Sequence, residues 1–255
     1  MQIGEEKQGS APTTTVCMSA RIGERLEDLI DRACDSGFDA VEVLLSDDSD
    51  ISWTLSEEAC QSAVERASRR GIKLASVLIG AGKTDSVGPP SAASRLKRAV
   101  EIAHWCGAST VVFPVEPGGK DGKITGHGDQ AYAALLETFT TLRFDAMHVG
   151  VVIACSFGRA GFITSVSDAR SFVDWVNSPF VGVSVSLAPS AGEEEWLTLL
   201  GHRVRHVLVN VDAPNCEQAA AALASRGYEG LISLRGELSA STRDLIRRAM
   251  HIGVR

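Results

Sequence analysis

The sequence predicts an α/β protein built as a single (β/α)8 TIM barrel, and three observations carry that reading. Short apolar runs rich in β-branched residues alternate strictly with segments of helical period, eight times over. The chain has 255 residues, a length that suits one closed barrel. A doubly wound open sheet is the main rival, and it would carry a nucleotide signature at its switch point. No GxGxxG follows the first strand, and no GxxxxGK with Ser or Thr occurs.

The elements follow in order. Strand one is read at residues 13–19, TTTVCMS. Residues 21–36 form the first helix, with Leu26, Leu29, Ile30 and Ala33 at helical spacing and Gly37 as its stop. Strand two is 38–45. Helix two is 56–70, opened by Ser56 with Glu57 and Glu58 in its first turn. Strand three is 72–79, helix three 91–106 and strand four 109–115. Helix four is 129–146 and strand five 149–155. Helix five is 168–177, with Ser165 or Ser167 as its cap. Strand six opens the stretch FVGVSVSLAPS, residues 180–190, and is apolar enough to be buried on both faces. Helix six is 193–200, strand seven 205–211, helix seven 216–226, strand eight 231–234, and 241–252 the last helix. Such alternation implies right-handed crossovers and a parallel sheet with helices outside.

Composition excludes several classes. The formal charge of -7 disfavours nucleic acid as a partner. No run of about 18 apolar residues is present, so no membrane span is expected. The segment MQIGEEKQGSAPTT lacks the basic start and apolar middle of a signal peptide. Residues 1–12 read as a disordered tail, leaving 13–255 as the barrel domain. The six Cys are scattered without CxxC, which suits free thiols in a reducing cytoplasm.

Several segments carry a family likeness. LEDLIDRACDSGFDAVEV, RASRRGIKLASV, RLKRAVEIAHWCGASTVVFP and SVSDARSFVDWVNSPFVGVSVS each resemble a helix-to-strand unit of the xylose isomerase-like sugar phosphate isomerase/epimerase family. GHRVRHVLV and ALASRGYEGLISL resemble its last two strands. The resemblance implies a divalent cation held at the ends of strands five to eight by Glu, Asp, His and Glu. This chain departs at all four positions. IACSFG puts Ser156 at the first, VSLAP puts Ser186 at the second and Pro189 at a nearby His, RHVLVNV puts Leu208 at the third, and GYEGLISLR puts Arg235 at the fourth. Asn210 stands at a family Lys, and Asp212 falls one residue after a family Asp. Two hydroxyls, a Leu and a guanidinium cannot hold a hard cation. Arg235 would repel one by several kcal/mol at about 4 Å and an effective dielectric near 20. No metal and no other cofactor is therefore expected, although the resemblance implies a divalent ion.

Other candidates come from position. Glu42 lies inside the apolar run VEVLL and matches a family Glu. It reads either as a site carboxylate or as one satisfied by a buried donor, and Arg235 beside it would make a natural ion pair. Glu116 and Glu237 follow strands four and eight, where loop acids are usually solvated. His127 lies in the Gly-rich segment PGGKDGKITGHG on the ligand side of the barrel. His206 starts strand seven, where the family tolerates a His that is not a ligand. Lys83, Lys120, Lys123, Arg159 and Arg235 could give the mouth a positive field, or be ordinary solvated cations. Ser156 and Ser186 could bond a hydroxylated or anionic ligand, or be small polar filler. No GxSxG and no triad spacing supports a Ser nucleophile.

The expected function is a divergent sugar phosphate isomerase/epimerase-like protein that binds a small polyhydroxylated or phosphorylated ligand and has lost the family's metal chemistry. Two alternatives stand beside it, a metal-independent isomerase or epimerase and a non-catalytic protein-interaction scaffold. An endonuclease-IV-like nuclease comes last, for want of its metal ligands and a basic charge. Expected partners are a sugar-like small molecule, with neither nucleic acid nor membrane; a homo-oligomer is compatible with the chain.

Overall fold

Eight parallel strands, each paired with its neighbour in sequence, close on themselves in the computed structural model. The structure describes residues 14–80, 92–115, 128–157, 163–187, 193–212, 216–239 and five positions between 241 and 248. The strands are β1 (Thr15–Ser19), β2 (Ala40–Leu45), β3 (Lys73–Ile79), β4 (Thr110–Val115), β5 (Val152–Phe157), β6 (Val181–Leu187), β7 (Val204–Asn210) and β8 (Leu231–Arg235). The helices are α1 (Leu26–Asp35), α2 (Glu57–Arg69), α3 (Ala92–Trp105), α4 (Gly128–Val149), α5 (Val166–Val176), α6 (Glu193–Leu200) and α7 (Cys216–Ser225). Ser241, Thr242, Asp244, Ile246 and Arg248 are helical too. The expected tail, 1–12, lies outside the described residues.

Local chemistry explains the ends. The Ser56 hydroxyl accepts from the Ala59 N–H at 3.3 Å and opens α2, as its sequence suggests. Ser165, rather than Ser167, caps α5, accepting from the Asp168 N–H at 3.1 Å. The first helix starts at Leu26, not at Arg21. Residues 21–25 form a turn instead, and the free Leu26 N–H donates to Asp50 Oδ2 at 2.7 Å from the loop after β2. The fifth strand starts at Val152, not Val149. Val149 is the last residue of α4, and the chain reverses at Gly150 with φ 72°.

The core is a ring between sheet and helices. Outward-facing strand residues such as Val41, Val77, Val111, Ile153, Val183, Val207 and Ile232 meet Leu29, Ala63, Leu96, Phe139, Phe172 and Leu223 from the helices. Phe139 packs edge-on against Phe113 at 6.0 Å and Phe172 at 5.3 Å, which pins α4 and α5 to β4. Full burial of each such side chain contributes roughly 1.5–3 kcal/mol. All six Cys are free thiols. Among the described residues no helix is long and apolar enough to cross a membrane.

Two strands carry an extra residue. β3 gains one against β2 between Val41 and Glu42, and β7 gains one against β6 between Val183 and Ser184. Such bulges bend a strand and re-aim side chains. Here they help bring Ser76 and His206 to the barrel's inner face beside Glu42.

A polar lumen beneath the barrel mouth: the candidate functional site

The inner face of the barrel holds a buried polar cluster. Glu42 and His206 are both 1% exposed, and Ser19, Ser76, Ser184 and Ser233 are buried around them. Glu42 Oε1 accepts from the Ser19 hydroxyl at 2.8 Å. Its Oε2 accepts from Ser76 at 3.0 Å and from Ser233 at 2.9 Å, and lies 3.0 Å from His206 Nε2. Donor counting fixes the rest. Ser233 spends its one proton on Glu42, so its oxygen accepts from His206 Nε2–H at 2.8 Å and from the Cys17 thiol at 3.2 Å. His206 Nδ1 meets the Ser184 hydroxyl at 2.7 Å.

Burial is the largest influence on the Glu42 carboxyl and acts to raise its pKa. The imidazole of His206 and the Ser19 and Ser233 hydroxyls more than offset it and hold the group at about 2. Burial, with the nearby Glu42 charge, drives the Cys17 thiol far above its usual range, so it serves as a neutral donor. Arg235 would make a natural ion pair with Glu42 if the two lay side by side. The structure supplies His206 instead, because Glu42 is in register with Ser19 and Ser76, whereas Arg235 pairs with Asn210 nearer the C-terminal end. Arg235 is exposed there.

The mouth is built from the next positions along the same inner face. Side chains two apart on a strand share a face. Ser186 therefore follows Ser184, Leu208 and Asn210 follow His206, and Arg235 follows Ser233. Ser156 is in register with Ser184 and lies on that face too. Ser186, Asn210 and Arg235 are exposed and Ser156 and Leu208 are half-buried, as expected around an open mouth. Ser156, Ser186, Leu208 and Arg235 thus share one inner face at the carboxyl ends of successive strands, β5 to β8, where ligands of this architecture bind. Two hydroxyls, an aliphatic chain and a guanidinium do not make a donor set for a divalent cation. Among the described residues no group of three His, Cys, Asp or Glu could hold a metal ion.

The remaining candidates separate. Asp212 is a strut. Its Oδ1 accepts from the Glu237 N–H at 3.0 Å, and its own N–H donates to Asn210 Oδ1 at 3.2 Å. Gly236, with φ 121°, faces it so closely that an added Cβ would sit 2.5 Å from Asp212 Oδ2. The Glu237 side chain is 93% exposed and lies 3.9 Å from Arg21. Glu116, His127, Pro189, Lys83, Lys120, Lys123 and Arg159 lie outside the described residues.

Sequence reasoning passed over Ser19, Ser76, Ser184, His206 and Ser233 as a set. A signal was present, since each is a polar residue inside an otherwise apolar strand. The fold also joins a Ser184–His206–Glu42 chain that no sequence spacing announced. It has the connectivity of a proton relay. The Ser184 hydroxyl belongs to a residue only 7% exposed, so the chain bolts β2, β6 and β7 together rather than presenting a nucleophile to solvent.

Comparison with known proteins agrees with this architecture. The family model described as "Xylose isomerase-like TIM barrel" matches residues 30–251. No curated protein matches the chain. Among solved structures, a 3-keto-D-glucoside 4-epimerase from E. coli superposes with TM-score 0.70 at 13% identity, covering 95% of this chain and 99% of that one. A D-psicose 3-epimerase from Clostridium cellulolyticum H10, solved with D-tagatose, gives 0.66 at 13% identity, covering 94% and 97%. A xylose isomerase-like TIM barrel protein from Mycobacterium smegmatis, in complex with magnesium, gives 0.68 at 14% identity, covering 90% and 89%.

Proposed function

The chain belongs to the xylose isomerase-like TIM barrel family, and on that premise we propose that it binds a small polyhydroxylated or phosphorylated molecule at its barrel mouth without the family's metal-dependent isomerase chemistry. One observation carries the reading: the inner face at the ends of β5 to β8 presents Ser156, Ser186, Leu208 and Arg235. The hydroxyls suit sugar-type oxygens, and Arg235 with the Asn210 amide beside it suits a phosphate or carboxylate. The sugar epimerases among the structural neighbours support a ligand of that class. The formal charge of -7 on the whole chain disfavours nucleic acid as the ligand.

Melting curves test this. Ribose 5-phosphate and gluconate should raise the melting temperature, neutral ribose less, and Arg235→Glu should abolish the anion-dependent part. If no sugar or sugar anion shifts the melt, or if Arg235→Glu responds like the parent, the mouth reading fails and the scaffold alternative takes its place.

A second reading is a metal-independent isomerase or epimerase. The Ser184–His206–Glu42 relay just beneath the mouth is the observation in its favour. Exchange of a substrate C–H proton with deuterated solvent, lost in His206→Gln, would be its signature.

A further inference from the structure

A cavity of about 450 Å³ opens at the opposite end of the barrel from the mouth. Its wall comes from the start of β7, the turn before β8, and α6 and α7. Leu197, Val204 and Leu223 supply apolar surface, Tyr228 an aromatic ring, and Arg205 and Arg226 two guanidiniums. Its volume is within the range of small-molecule sites.

Arg205 is the unusual member. It is the extra residue of the β7 bulge, since Val204 pairs with Val183 and His206 with Ser184, leaving Arg205 without a partner on β6. Its stem crosses Gly182 so closely that a Cβ there would meet Arg205 Cγ at 2.3 Å and the Arg203 carbonyl oxygen at 2.6 Å. A bulge and a glycine together make room for this side chain. Yet its Nε is buried without a hydrogen-bond partner. Among the described residues no acceptor compensates it. The Tyr228 hydroxyl donates to the Leu231 carbonyl at 3.0 Å, and burial keeps that phenol neutral. Arg226 is engaged with the Ala222 carbonyl and Thr198 Oγ1. Glu229 is the carboxylate on this wall, and no ion pair joins it to Arg205 among the described residues. A buried donor with no acceptor is costly and uncommon in folded proteins.

We propose that this cavity is a second ligand site, separate from the mouth, that takes a small molecule with a carboxylate or phosphate on an apolar or aromatic body. Arg205 lines the cavity and receives the oxyanion with its guanidinium, whose fixed charge and N–H donors suit such groups. Leu197, Val204, Leu223 and the Tyr228 ring cover the body.

Titration of the full chain with phenyl phosphate, benzoate and phenol tests it. One or both anions should bind and raise the melting temperature, which also tells phosphate from carboxylate, while phenol should do little. Arg205→Gln should weaken anion binding roughly tenfold or more, Arg205→Lys less, and Arg235→Glu at the mouth should leave it unchanged. Amide chemical-shift mapping on the parent protein gives an answer even if Arg205→Gln folds poorly: perturbations should centre on Gly227 and Gly230, not on Asn210 and Arg235. Absence of anion binding, undiminished binding by a folded Arg205→Gln, or perturbations confined to the mouth would each overturn the proposal.

Discussion

Replacing Glu42 by Gln removes the lumen's negative charge while keeping the side chain's shape. The amide oxygen can still accept from Ser19. The amide nitrogen, however, faces the Ser76 and Ser233 hydroxyls, which lose the acceptor they donate to, and His206 Nε2–H, which loses its charged partner and keeps only the Ser233 oxygen. The magnitude follows from the carboxyl's own titration. A Glu that ordinarily titrates near 4.5 is held at about 2 here. That difference corresponds to about 3 kcal/mol of folding free energy. Breaking a buried pair by removing one partner costs roughly 3–5 kcal/mol, which agrees. The sign is fixed by the direction of the shift. The folded-state value is depressed, so this stability is fully present above pH 4.5 and is lost as pH falls toward 2. Urea unfolding at a series of pH values reads both consequences. At pH 7 the variant should be less stable by about 3 kcal/mol, or roughly 6–12 °C in melting temperature for a chain of this size. The gap between parent and variant should then narrow steadily below pH 4.5. A variant within about 1 kcal/mol of the parent at pH 7, with a parallel acid limb, would refute the view that the lumen is bolted by an ionised Glu42.

The same cluster predicts strong coupling: Glu42→Gln and His206→Gln together should cost less than the sum of the two singly, by roughly 1–3 kcal/mol in a double-mutant cycle. Asp212→Ala should destabilise the chain by about 1–2 kcal/mol, since it frees the Glu237 N–H, and should leave sugar-anion binding at the mouth intact. Glu237→Ala, at a side chain 93% exposed, should change stability by less than about 0.5 kcal/mol.

The fold was legible because periodicity is a local signal. Eight apolar runs, with helices between them capped by residues such as Ser56 and Ser165, leave few other ways to bury so much Val and Ile. Boundaries failed where locally equivalent residues compete. Val149 suits a strand as well as a helix end, and of Arg21 to Arg25 only Gly23, which turns the chain at φ 76°, speaks against a helix until Asp50, distant in sequence, accepts from the Leu26 N–H. The mouth positions were legible by resemblance together with strand parity. The lumen was not, because its bonds join residues that only barrel closure brings together. Ser233 reaches Glu42 across 191 residues of sequence. Glu42 is the carboxylate satisfied by buried donors that its apolar strand allows for, and Arg235 does not pair with it, as strand register rather than charge complementarity selects the neighbour. Arg205 was hidden in a further way, because a bulge shifts strand parity and no sequence pattern announces one.

The central claim is that the mouth binds its ligand without a metal. Metal content of the purified protein by mass spectrometry, followed by melting curves with Mn2+, Mg2+ and Zn2+, tests it most directly. With Ser156, Ser186, Leu208 and Arg235 at the strand ends, the chain should carry no stoichiometric divalent ion and show no saturable stabilisation by any of the three. One equivalent of bound metal, or a saturable rise in melting temperature that Arg235→Glu enhances, would contradict the claim.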